Sequence, residues 1–287
     1  LSVAVAPVLA GVIGRHVIET PLGGVDVNGA SVPLLLAAVV AMALGVLCFK
    51  ALNDDPDRPL RADLVALLRR SRWSTDPYPG LFLVFEGGEG AGKSTQVRLL
   101  AEVLEQRGHE VVITREPGAT PVGAKIRALL LDPATSLSPR AEALLYAADR
   151  AQHVAAVVQP ALARGAVVIS DRYVDSSLAY QGAGRELPAN EVGELSDWAT
   201  KGLVPDLTLL LDIDPEVGLV RATGSPDRIE QESLAFHRAV RREFLALADR
   251  EPGRYLVVSA LSPAQDVHER IIEGVLPLLP TSTLEPA

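Results

Sequence analysis

The stretch FEGGEGAGKST, Phe85 to Thr95, decides how the rest of the chain is read. Gly87, four residues, then Gly92, Lys93 and Ser94 fit a phosphate-binding loop, and the apolar run LFLVF before it (Leu81 to Phe85) is the strand such a loop leaves. Glycines let the backbone curl until its N–H groups face a phosphate chain, and the helix that follows adds positive potential at its N-terminus. Gly88, Glu89, Gly90 and Ala91 complete the loop. Lys93 is spaced to reach terminal phosphates, and the Ser94 hydroxyl, beside Thr95, suits Mg²⁺.

Outward from the loop, short apolar runs alternate with helical patterns. Strands are predicted at Leu81 to Phe85, Val111 to Thr114, Ala166 to Ser170, Leu207 to Ile213 and Tyr255 to Ala260. Helices are predicted at Lys93 to Arg107, closed by Gly108, and at Ala141 to Arg164, closed by Gly165. This alternation implies an α/β fold with a five-stranded parallel sheet flanked by helices and sites at the carboxyl ends of the strands. Arg115 and Glu116 fall at one strand end, Asp171 and Arg172 at the next, and Arg127 on the intervening helix GAKIRALLLD. Asp171 sits where an acid holds Mg²⁺ through water in loop-type NTPases. Several strand-end arginines suit a second phosphate, because the guanidinium fork matches it bidentately.

The formal charge of −9 over 287 residues argues against a nucleic-acid partner, which calls for a Lys/Arg surplus. The one cysteine excludes an internal disulfide and a cysteine-rich metal site. The N-terminal part has another character. Val32 to Phe49 carries no charge over 18 residues, the length of a short membrane span, and Leu1 to Ile13 reads as the end of another span. The chain opens on Leu1 and its only methionine is Met42, which reads as a piece of a longer protein. Lys50, Arg58, Arg61, Arg69, Arg70 and Arg72 follow the span, whereas the connecting loop from Gly14 to Ser31 has only Arg15, so everything after Phe49 is expected in the cytoplasm. The two spans resemble the last two helices of a major-facilitator-type transporter. The expected organisation is transmembrane helices over 1–50, a linker over 51–79 whose RADLVALLRR reads as a surface-lying amphipathic helix or a connector, and a catalytic domain over 80–287.

From Leu81 to Leu279 the chain resembles thymidylate kinase, on FEGGEGAGKST, TREPGATPVGAKIRALLL, ALLYAADRAQH, DRYVDSSLAYQG, PDLTLLLDIDPEVGL and DRIEQES in that order. The resemblance implies a nucleoside monophosphate kinase fold, ATP as phosphate donor with Mg²⁺, dTMP as acceptor, and a homodimer. It implies that Arg115 and Arg172 grip the dTMP phosphate with Arg127 close by, and that Tyr146 stacks on thymine while Arg150 bonds its carbonyl edge. Ser177 and Gln181 would complete base recognition, Tyr180 would lie under the deoxyribose, and Glu116 and Glu89 would sit near sugar and metal. The lid VRATGSPDRIE (Val220 to Glu230) is short and offers Arg221 as its cation, with Arg228 as a second or as an ion-pair residue. Trp198, in SDWATKG, is expected on a packing helix. Two other readings stand beside this one: a kinase for another nucleoside monophosphate, and a nucleotide-sensing domain of a transporter.

Overall fold

The computed structural model describes residues 78–222 and 225–279 in full, and before them the backbone of two strands. Contacts divide the chain into two units, residues 1–60 and 61–287. In the first unit, β1 (His16–Thr20) pairs antiparallel with β2 (Gly23–Val27), His16 opposite Val27 and Thr20 opposite Gly23. The sequence reading made this connection a loop. It is a hairpin, in keeping with its β-branched content at Val17, Ile18, Thr20, Val25 and Val27. Both apolar stretches read as spans lie outside the described residues, as does the linker helix. Among the described residues, no helix is long and apolar enough to cross a membrane.

The second unit is built on a five-stranded sheet, all parallel, in the order β4-β5-β3-β6-β7. The strands are β3 (Leu81–Glu86), β4 (Val111–Arg115), β5 (Val167–Asp171), β6 (Leu207–Asp212) and β7 (Tyr255–Ser259). Each lies within a residue or two of its predicted bounds. Side chains alternate across a strand, so β3 sends Leu81, Leu83 and Phe85 to one face and Phe82 and Val84 to the other. Helices α1 (Lys93–Gln106) and α9 (Ala264–Val275) cover the first face through Leu100, Leu104, Ile271 and Val275. Burial of both faces explains why the central strands read as unbroken apolar runs.

Helix α2 (Pro121–Leu131) starts at a Thr120 cap, whose hydroxyl accepts from Gly123 N. Helix α3 (Pro139–His153) was predicted to continue unbroken to Arg164. It instead passes through a π-turn, Val154–Val158, into the short α4 (Gln159–Ala163). Pro160 has no N–H for the i−4 ladder, and the wider turn absorbs the lost bond. A second π-segment, Leu178–Gly184, extends α5 (Val174–Ser177). Then come α6 (Ala189–Thr200), α7 (Pro215–Arg221) and α8 (Leu234–Arg250). Helix α6 packs as expected, through Val192, Ser196, Ala199 and Thr200, although Trp198 on it is 80% exposed and takes no part in that packing.

Candidate active site

The loop between β3 and α1 is shaped by close approach. Gly87 has φ +138, and a Cβ there would lie 2.4 Å from Leu211 O; at Gly90, φ +67, it would lie 2.0 Å from Gly218 O. Only glycine fits such positions. No side chain caps α1 at Gly92, and although Thr95 N–H turns back to Gly92 O (3.1 Å), the N–H groups of Lys93 and Ser94 open the helix toward an anion. Lys93 Nζ donates to the carbonyls of Gly87 (3.0 Å) and Gly88 (2.9 Å). Burial, then the nearby Arg172 guanidinium, holds the Lys93 amine below its ordinary range. Ser94 Oγ donates to Asp171 Oδ2 at 3.2 Å, joining the helix start to the end of β5.

Two cavities adjoin this loop. The open one, about 500 Å³, is lined by Gly90 through Thr95 together with Arg115, Asp171 and Arg221. The other, about 100 Å³ and the more enclosed of the two, is lined by Tyr146, Arg150, Tyr173, Ser177, Tyr180 and Gln181, with Asp227 and Ile229. Glu89, Glu116, Arg127 and Arg172 line both and form their border. Gly87 and Gly88 line neither of the two and serve through their carbonyls. Apart from Arg228, the structure thus gathers every other residue that the sequence assigned to nucleotide or metal around this pair of adjoining spaces.

The border is tightly wired. Arg172 takes φ +73, costly for a residue with a side chain. Its Nη2 pairs with Glu89 Oε1 (2.6 Å), while Nη1 donates to Gly87 O (3.1 Å) and Ser176 Oγ (3.2 Å). Tyr180 OH also donates to Glu89 Oε1 (2.9 Å), and the Arg172 guanidinium lies 5.0 Å from the Tyr180 ring centre. Burial alone would raise the Glu89 carboxyl, but Arg172 and then Lys93 outweigh it and bring it down to about 2. Arg127 Nη1 donates to Pro117 O at 2.9 Å, while Arg115 stands exposed at the end of β4.

Several expected contacts are already engaged elsewhere in the protein. Both oxygens of the Glu116 carboxylate are taken, Oε2 by Arg150 Nε (2.7 Å) and Oε1 by His153 Nδ1 (2.8 Å). Gln181 Nε2 donates to Glu142 Oε1 (2.9 Å), and Ser177 Oγ accepts from Arg150 Nη2 (3.0 Å). Arg221 lines the open cavity, yet its Nη1 donates to Ala260 O (2.8 Å), which ties it to the loop after β7. Arg228 takes the structural role, pairing with Glu142 Oε2 (2.6 Å) and donating to Leu130 O (2.7 Å).

Other residues drew no attention in the sequence. Glu86, fully buried at the end of β3, accepts from Tyr173 N (2.9 Å), Ser176 N (3.1 Å) and Ser176 Oγ (2.6 Å), and so pins the turn that carries Arg172. Burial, then the Asp175 carboxylate, pushes Glu86 up to about 7 against the pull of Arg172 and these donors. Glu142, also buried, gathers Gln181, Arg185 and Arg228. Glu86 and His153 both fall inside motifs quoted above, but adjacency in sequence gives no sign of whom they face.

A phosphate loop at the carboxyl edge of a parallel sheet, opening across shared arginines onto an enclosed aromatic and polar cavity, defines a nucleotide-dependent kinase with a second small-molecule pocket. A family model of thymidylate kinase matches residues 85–271. The chain belongs to the thymidylate kinase family, and is an enzyme of that kind. It is 56% identical over 191 residues to a thymidylate kinase of Clavibacter michiganensis subsp. michiganensis, covering 66% of this chain and 90% of that one. It is 52% identical over 198 residues to one from Deinococcus radiodurans, covering 68% and 96%. Among solved structures, thymidylate kinase from Ehrlichia chaffeensis aligns with a TM-score of 0.58 at 31% identity, covering 69% of this chain and 98% of that one.

Proposed function

We propose that the chain binds ATP in the open cavity and dTMP in the enclosed one, and moves the γ-phosphate of ATP onto the dTMP phosphate to give dTDP. The observation that carries this reading is the border: Arg172 and Arg127 line both spaces, so phosphates entering from either side meet the same cations. Lys93 and the uncapped start of α1 would hold the donor phosphates; Arg172, Arg127 and Arg115 would hold the acceptor. Tyr146 would give the base a stacking face, with Arg150, Ser177 and Gln181 at its polar edge. Tyr180, fixed by Glu89, would floor the sugar and crowd a 2′-hydroxyl. No covalent intermediate is needed, because phosphoryl transfer is mainly positioning and charge neutralisation.

Mg²⁺ fits the donor set. Ser94 and Asp171 supply two hard oxygens at the open cavity, and among the described residues no cluster of three or more metal-binding side chains forms a closed cage. That suits an ion shared with substrate phosphates and water. When bound, it would neutralise charge on the transferring phosphate.

Leu1 to Ile13 and Val32 to Phe49, on either side of the hairpin, are read as membrane-spanning, part of a transporter-like region that keeps the kinase unit at the cytoplasmic face; apolar length and the flanking arginines support this. A homodimer through the kinase unit is read from the resemblance and from apolar Leu144, 58% exposed on α3.

The test is coupled-enzyme turnover of the purified chain with Mg-ATP and dTMP, dUMP, dCMP, dGMP or the ribose form of TMP. Turnover selective for dTMP and abolished in Lys93→Ala is expected. Tight nucleotide binding without turnover would replace this reading with the nucleotide-sensing one.

A further inference from the structure

A guanidinium has five N–H donors, and those of Arg150 are nearly all committed. Nε donates to Glu116 (2.7 Å), Nη2 to Tyr173 O and Ser177 Oγ (both 3.0 Å), and Nη1 to Ser196 Oγ at a long 3.4 Å. One Nη1 N–H is left, with the weakly held Ser196 bond beside it, to meet a base in the enclosed cavity. Whether it points there depends on the plane of the guanidinium, and that plane is held by the short bond to Glu116 on one side and the Nη2 bonds on the other.

Glu116 in turn is held from behind. His153 Nδ1 lies 2.8 Å from Oε1, and His153 Nε2 lies 2.7 Å from Thr114 Oγ1 on β4. Facing a carboxylate oxygen, Nδ1 donates to Glu116, and Nε2 pairs with the threonine hydroxyl. His153 is fully buried, Thr114 nearly so, and neither lines either cavity. They cannot touch a substrate; they can only act through Glu116.

We propose that His153 is a positioning residue for recognition of the acceptor base: by occupying one oxygen of Glu116, it limits that carboxylate to a single bond with Arg150 Nε, leaves Nη2 to Tyr173 and Ser177, and so holds the guanidinium plane that presents Nη1 to the base carbonyl. The proposal rests on the assignment of the enclosed cavity to dTMP. Without the imidazole, the carboxylate is free to turn and take Arg150 through two parallel bonds, the favoured arrangement of this pair. That would draw Nη2, the nitrogen on the same side as the Nε–H, away from Tyr173 O and Ser177 Oγ and tilt the plane, with Nη1, away from the base. A purely structural histidine would instead support fold and both substrates alike.

The experiment compares His153→Ala, His153→Asn and His153→Gln with the natural chain, measuring kcat and KM for dTMP, dUMP, dCMP and ATP, with thermal unfolding alongside. Loss of one base contact is about tenfold. In His153→Ala the KM for dTMP should rise about tenfold and the preference for dTMP and dUMP over dCMP, which has an amino group where they have a carbonyl, should fall by a similar factor. The KM for ATP and kcat at saturating dTMP should stay within about twofold. Asn places its amide nitrogen near the position of Nδ1 and should restore the selectivity, whereas Gln, reaching the position of Nε2, should not. If His153→Ala does not fold, the contrast between Asn and Gln decides. Unchanged KM and selectivity in a folded variant, equal losses toward ATP and dTMP, or an Asn variant no better than Gln would each overturn the proposal. A natural chain without dTMP turnover would overturn the function assignment itself, a result recognisable before any variant is made.

Discussion

The two cavities that meet at Arg172 are built on opposite plans. The phosphate side uses backbone: glycine geometry, the bare start of a helix, and a lysine anchored on two carbonyls six and five residues before it. The side proposed for the base uses side chains brought from far apart, such as Arg150 to Glu116 across 34 residues and Gln181 to Glu142 across 39. Of the charges facing the open cavity, Lys93 is buried against the loop's own carbonyls while Arg115 stands exposed. Those around the base are buried and paired, where breaking a pair costs far more than at a surface. A phosphate is the same on every nucleotide and needs only charge and donors; a base must be distinguished from its analogues, and fixed, desolvated donors do that.

Substitutions on the two sides should therefore fail differently. Lys93→Ala should lower kcat about 10³-fold for every acceptor alike, checked by steady-state turnover, since it removes charge where charge develops. If its effect differed sharply between dTMP and dUMP, the division between the two sides would break. Tyr146→Ala should raise the KM for dTMP by about 10- to 100-fold, the value of one base stacked on an aromatic face, with the KM for ATP little moved.

Glu86 sharpens the comparison, because it supports the border from beneath. Its folded value near 7 lies above the ordinary carboxyl value of 4.5, so the native protein keeps a proton that the unfolded chain has released. The stabilisation is complete below about 4.5 and is lost as pH rises through about 7. Glu86→Gln should remove this slope, worth about 1–3 kcal/mol, from urea-unfolding free energies measured between pH 5 and 8. The smallest effect is expected at Trp198, which is 80% exposed: Trp198→Ser should change unfolding free energy by less than about 0.5 kcal/mol.

The same contrast explains what the sequence could disclose. The sheet was legible because β3, β5 and β6 are buried on both faces and read as apolar runs, and the loop because its function lies in contiguous residues. The arginines at strand ends were legible because the parallel topology delivers strand ends to one edge. The partnerships were not. Nothing beside Glu116 says that both its oxygens are spent on α3, and nothing beside Arg228 says that it belongs to Glu142 rather than to the lid. Trp198 shows the converse, a large apolar residue in a helical pattern whose side chain points out. The hairpin at His16–Val27 was missed because charge, and not alternation, was read there.

The π-turns have a further consequence. Each holds one residue more than an α-turn, and one residue turns a helix by about 100°. The turn at Val154–Val158 therefore shifts the phase between the part of α3 that presents Tyr146, Arg150 and His153 and the part that faces the sheet with Val158 and Leu162. The segment Leu178–Gly184 does the same around Tyr180 and Gln181. Deleting a single residue such as Ala156 would leave a well-formed helix and an intact sheet contact, yet rotate the recognition face out of its cavity. Substrate choice in this enzyme is thus written partly in the length of its chain, and a one-codon change can reach it without altering any residue that meets the nucleotide.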